Sequence, residues 1–139
     1  MLKYFFAAKK AEFSIRERCH VVELLGDAQV PGISIARCQV EPGVTTELHS
    51  LSGIDEVYVV LAGSGTMDDG RCAGQRVGVM DCVRIPAGYP QRVQNDGSED
   101  LVFLAICTDR FVPECYIPNE GEGAKAPDYS GAPEQLSEG

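Results

Sequence analysis

Apolar and polar residues alternate along much of the chain in short runs, each closed by Gly, Pro, Asn or Asp. A period of two marks a strand with one buried face. It predicts strands at residues 20–25, 32–40, 54–61, 77–79, 82–85, 91–94 and 101–108, with shorter extended pieces at 3–7 and 14–16. The run 54–61 is rich in the β-branched and aromatic residues that suit a pleated, half-buried surface. Turn signals separate the runs: Gly26-Asp27, Pro42-Gly43, the hairpin pair Asp69-Gly70, the segment 86–90 with two prolines and a glycine, and Asn95-Asp96-Gly97. Residues 62–65, Ala-Gly-Ser-Gly, read as a break. No stretch carries a convincing 3.6-residue period, so the expected class is an all-β sandwich or barrel.

The length of 139 residues suits a single core. That core is expected within residues 1–118, after an extended N-terminal arm. Residues 119–139 form a polar, acidic tail with almost no apolar side chain, too little to offset the entropy of ordering it. With no Trp and ten aromatic residues in all, the core must be mostly aliphatic. A net charge of −9 argues against nucleic acid or an anionic membrane as partner. The six cysteines form no Cys-x-x-Cys pair, and the apolar run 2–8 is too short for a secretory signal or a bilayer span. A cytoplasmic protein with reduced, mostly buried thiols is expected. The arm, residues 2–16, holds Tyr4, Phe5, Phe6, Phe13 and Ile15, and so much apolar surface ahead of the barrel predicts a homodimer.

The candidate chemistry lies in residues 42–63. A Pro-Gly turn leads to His49, and a Ser-Gly loop leads through Asp55 and Glu56 into the run 54–61. Alternation puts His49 and Leu51 on one face, and Glu56, Tyr58 and Val60 on another. If the two strands pair with those faces inward, an imidazole and a carboxylate converge in an apolar interior, which suits a first-row divalent metal. The plainer alternatives are a turn histidine bonded to backbone and a Glu56 paired with Arg37 or Arg92. His20, sharing a face with Val22 and Leu24, is read as an edge or interface residue. Gly63-Ser64-Gly65 lacks the rest of a dinucleotide fingerprint, and Asp68-Asp69-Gly70 the rest of a calcium loop.

The same stretch resembles the first motif of the cupins: Gly43, five residues, His49, then Leu51 where the family has a second histidine, four residues, Glu56, six residues, Gly63. The second cupin motif is matched by Pro86, Gly88 and Asn95, with Gln91 in the histidine position and Met80 in that of the leading glycine. Residues 20–116 are similar to small, single-domain bacterial cupins. The resemblance implies a double-stranded β-helix, a jelly-roll-like antiparallel β-barrel. It implies His49, Glu56 and Gln91 as metal ligands for Fe, Mn, Ni or Zn, with about three positions left open on an octahedral ion. Tyr58, Arg37 and Leu51 are the candidate substrate contacts, and Cys38 or Cys107 could add a thiolate if either faces inward. Cupins include dioxygenases, isomerases, cyclases and plain binding proteins. The expected function is that of a metal-dependent enzyme acting on a small oxygen-rich molecule; the alternative is a non-catalytic, metal-free binding protein.

Overall fold

The computed structural model describes residues 1–15 and 17–120. The expected tail therefore falls almost wholly outside the described residues. Among those residues the chain forms eleven strands: β1 Glu12–Ile15, β2 Cys19–Leu25, β3 Ser34–Val40, β4 His49–Leu51, β5 Asp55–Ala62, β6 Ser64–Asp68, β7 Gln75–Gly78, β8 Cys82–Ile85, β9 Arg92–Gln94, β10 Leu101–Thr108 and β11 Tyr116–Pro118. Two short 3-10 turns, Ala7–Lys9 and Pro113–Cys115, complete the described structure.

One sheet has six strands in the order β1-β2-β3-β10-β5-β8, all antiparallel. The facing layer is built from β7-β6-β9 and β11-β4, joined by single bridges at Thr45–Gln94 and His49–Gln91. In β3, β5 and β10 every second residue is buried, as the alternation predicts. Those inward residues form an aliphatic cluster that includes Val21, Ala36, Cys38, Val60, Leu101 and Phe103.

Three expectations change. His49 and Glu56 do not lie on paired strands: β4 belongs to one layer and β5 to the other, so the two side chains meet across the barrel. The chain switches layers at Ser52-Gly53, where Gly53 takes φ +80, a left-handed conformation that costs glycine little. Residues 64–68 are a strand, not a break, because Gly65 lets β6 pass close to Gln94 and Leu101 where any Cβ would crowd them. Gly63 is likewise required: it sits at φ +75, and a Cβ there would collide with the Asp100 carbonyl. In the N-terminal arm, Phe13 and Ile15 pack on the chain's own barrel through β1, whereas Leu2, Tyr4 and Phe6 stay exposed and form no strand.

Cys19, Cys38, Cys107 and Cys115 are buried, and Cys72 and Cys82 exposed. Among the described residues no helix is long and apolar enough to cross a membrane.

Candidate functional site

Most of the barrel interior is apolar, and four polar side chains gather at one place in it. His49 reaches it from β4, Glu56 and Tyr58 from β5, and Gln91 from the residue just before β9. Their exposures are 0% for His49, 1% for Glu56 and 4% for Gln91. The Gln91 amide nitrogen is the point where they meet: it lies 2.9 Å from His49 Nε2, 2.9 Å from the Tyr58 hydroxyl and 3.4 Å from Glu56 Oε1. Backbone geometry fixes this pairing, since His49 and Gln91 exchange both of their N–H···O=C bonds across the bridge, at 3.0 and 2.8 Å.

The protonation of His49 follows from its partners. The Glu47 carbonyl oxygen, 2.7 Å from Nδ1, can only accept, so Nδ1 carries the proton. Burial pushes the imidazole down to about pH 4, only partly offset by the Glu47 carbonyl and the Glu120 charge. At neutral pH His49 is therefore uncharged and Nε2 holds a lone pair, which accepts from the Gln91 amide. The 3.5 Å approach of Glu17 Oε1 to Nδ1 is then no ion pair. A stacked Tyr116 ring at 4.6 Å holds the imidazole plane, and its hydroxyl donates to Glu47 Oε1 at 2.8 Å.

Of the six side chains expected at the site, the structure brings four together: His49, Glu56, Gln91 and Tyr58. Leu51 is buried in an apolar cluster with Ile54, Cys107, Phe111, Cys115 and Tyr116, and reaches the polar group only through Cys107 and Tyr116, which border it. Arg37 is a correction. It lies on the outer face of β3, because the inward positions of that strand are Ala36 and Cys38, and it pairs with Glu12 at 3.3 Å. Neither arginine weighed as a partner of Glu56 serves, since Arg92 binds Asp68 at 3.0 Å. Cys107 does face the site, its thiol 3.7 Å from Glu56 Oε2, whereas Cys38 belongs to the aliphatic cluster. His20 is half-buried and bonds Ser14 Oγ at 2.7 Å across the β1–β2 pair.

Two contributors were not anticipated. Glu47 shares the face of His49 by simple alternation, so the pattern could have revealed it. Tyr116 lies far along the chain, with no local signal of its position.

One atom of the cluster has no partner: Gln91 Oε1, buried and without a hydrogen bond. Leaving such an acceptor unpaired costs roughly 1–3 kcal/mol. Gln91 also borders a cleft of about 360 Å³ that opens between the β6–β7 and β8–β9 connections. Tyr89 and Asp69 bridge its rim, hydroxyl to carboxylate, at 2.9 Å. That bond and the Cys72 and Arg71 amides, which contribute more, bring Asp69 down to about 2, and the same bond raises the Tyr89 phenol.

No group of three or more His, Cys, Asp or Glu able to hold a metal ion occurs among the described residues. The converging set is one imidazole, one carboxylate and one amide. It fits a divalent ion in kind, His49 offering the Nε2 lone pair, Glu56 a carboxylate and Gln91 an amide, but the amide now turns its NH₂ group to the other two and would have to exchange that group for its oxygen to ligate with them.

Residues 36–107 match the family Cupin_2, the cupin domain. The protein belongs to the cupin family. The chain is similar to an oxalate-binding protein of Thermotoga maritima, 33% identical over 72 residues, which cover 51% of this chain and 58% of that relative. A solved structure described as a predicted oxalate decarboxylase, also from Thermotoga maritima, superposes with a TM-score of 0.66 at 22% identity, covering 77% of this chain and 99% of that one. The Streptomyces protein Pac13, a nucleoside dehydratase, superposes with a TM-score of 0.71 at 13% identity, covering 86% and 92%. At those identities the two structures speak for the double-stranded β-helix alone.

Proposed function

We propose that the protein is a metal-dependent cupin enzyme that takes a small oxygen-bearing molecule through the cleft to a divalent ion held by His49, Glu56 and Gln91. The observation that carries this is the convergence of those three side chains on one buried point, with His49 in the tautomer that keeps the Nε2 lone pair on the inner side, where the Gln91 amide now donates to it. A bound ion would supply Lewis-acid polarisation of a substrate oxygen. The chain's own groups do the rest. Glu47 and Tyr116 hold the imidazole in orientation, as partners of a metal-binding histidine commonly do. Tyr58 offers a hydroxyl beside Gln91, and the apolar cluster around Leu51 borders the site through Cys107 and Tyr116. The oxalate-binding relative supports a small-molecule ligand.

A second reading, a metal-free binding cupin, is favoured by one observation: the Gln91 NH₂ group occupies the meeting point and caps His49 Nε2. Metal analysis of untagged protein purified without chelator separates the two. The first reading expects one divalent ion per chain, lost in His49→Ala; wild-type protein that neither carries nor takes up an ion leaves the second.

The same proposal includes a homodimer. Leu2, Tyr4 and Phe6 at the start of the arm are 77%, 69% and 59% exposed, an apolar surface suited to covering a neighbour's sheet edge. Light scattering is expected to give twice the 15.0 kDa chain mass, and a monomer at micromolar concentration would contradict it.

A further inference from the structure

The two layers of the barrel turn different chemistry outward. In the three-stranded sheet the outward residues are polar and pair across strands, Thr66 with Gln94 and Asp68 with Arg92. That is what alternation gives when one face of a sheet meets water. The six-stranded sheet departs from it. In β5 and β10 the buried positions alternate with Val57, Val59, Leu104 and Ile106, all apolar and only half-buried. Register gathers them into two adjacent rows. Ile35, Ile106 and Val57 form one, and Leu104 and Val59 the other, with Arg37 and Cys82 at its ends.

The chain supplies little to cover these rows. The facing layer packs on the inner side of the sheet, through Met67, Val77 and Val93. In the N-terminal arm the turn Ala7–Lys9 has no buried residue, and Leu2, Tyr4 and Phe6 are exposed. Contiguous apolar surface left in water is destabilising, and burying it is the usual remedy.

We infer that this face is the interface with a second copy of the chain, the two six-stranded sheets stacking face to face about a two-fold axis. Charge favours a copy over an unlike partner. The charged side chains at the borders carry their own counter-ions, Arg37 with Glu12 at 3.3 Å and Arg84 with Asp55 at 3.2 Å. A face without net charge lets a chain of −9 meet its like, and gives a basic partner nothing to hold. Area points the same way. Four strands about 4.8 Å apart and about six residues long at about 3.4 Å each span roughly 400 Å². Two copies bring about twice that, close to the roughly 1,000 Å² expected of a specific interface. The exposed arm leads into β1 at the edge of the same sheet and can add the remainder. The inference rests on the homodimer proposed above and locates its interface.

Cys82 reports on the face directly. It is exposed in the single chain and stands opposite Val59, whereas Cys72, also exposed, borders the cleft instead. Full-length Cys72→Ser and Cys82→Ser proteins each keep one exposed thiol, whose reaction with a disulfide reagent is timed while light scattering gives the mass. Both variants are expected to be dimers, with Cys82 reacting about tenfold or more slower than Cys72 because the partner sheet blocks access. Leu104→Asp, which puts a charge into the interface, should weaken the dimer by about a hundredfold or more and bring Cys82 to the rate of Cys72. Dimers in which Cys82 reacts as fast as Cys72 overturn the inference and leave the homodimer standing, a result that needs no folded Leu104→Asp. Folded Leu104→Asp protein that dimerises as tightly as the wild type overturns it too. Monomers contradict the homodimer and the inference together; a slow Cys82 in them would mean that the chain's own residues cover the face.

Discussion

The barrel interior has two halves built on the same strand alternation but filled by different chemistry. Around Val21, Ala36, Val60 and Leu101 the inward positions are aliphatic, and their worth is area removed from water and close packing. Around His49, Glu56, Gln91 and Glu47 the inward positions are polar, so each group must find a partner or be destabilising. The first half tolerates any packing that fills space. The second is held in one arrangement by specific hydrogen bonds, and one of its acceptors, Gln91 Oε1, is left unmatched. β5 serves both, with Val60 in one half and Glu56 in the other.

The difference can be broken most severely from the aliphatic side. Leu101, 1% exposed, packs against Gly65, and Leu101→Ala should cost about 2–5 kcal/mol through the cavity it leaves. Urea unfolding would measure this, and metal uptake by the folded fraction should be unchanged.

From the polar side the largest effect is one of pH. Because burial holds His49 at about 4 against 6.5, the unfolded chain takes up a proton in that window before the folded one does. Stability of metal-stripped protein should therefore be full above about pH 6.5 and fall as pH drops toward 4, by about 3 kcal/mol. In His49→Gln that slope should disappear; an unchanged slope would assign it to other groups. Tyr116→Phe comes next. It removes the donor to buried Glu47 but keeps the ring stacked on His49, and should cost about 1–3 kcal/mol.

The smallest expected effect concerns the end of the described chain. Glu120 accepts from the Leu48 amide at 2.7 Å and from Arg18 at 2.9 Å, and its charge raises the pKa of His49. Glu120→Gln should change stability by about 1 kcal/mol or less, because the ion pair is well exposed. It should also move the His49 titration to lower pH, which NMR of the imidazole would follow.

The aliphatic half was legible in the sequence because period-two alternation is a local signal: residues 82–85 and 101–108 are strands with those bounds. The polar half was legible only where motif spacing carried it, as for His49, Glu56, Gln91 and Gly63. Arg37 misled because a run from residue 32 does not reveal which of its faces turns inward; Ala36 and Cys38, being small, fit beneath the facing layer, and the long arginine is left outside. β6 was hidden because glycines that usually break strands here permit close contact between them. Tyr116 could not be foreseen, since β11 reaches β4 only through a long-range pairing.

The central claim is that His49, Glu56 and Gln91 form one metal-binding point inside the barrel. Crystals soaked in Co²⁺ and measured at the cobalt absorption edge test it most directly. The account predicts one strong anomalous peak per chain, lying among His49 Nε2, Glu56 and Gln91, and absent from His49→Ala crystals. A peak elsewhere, or none in wild-type crystals at saturating cobalt, would contradict it.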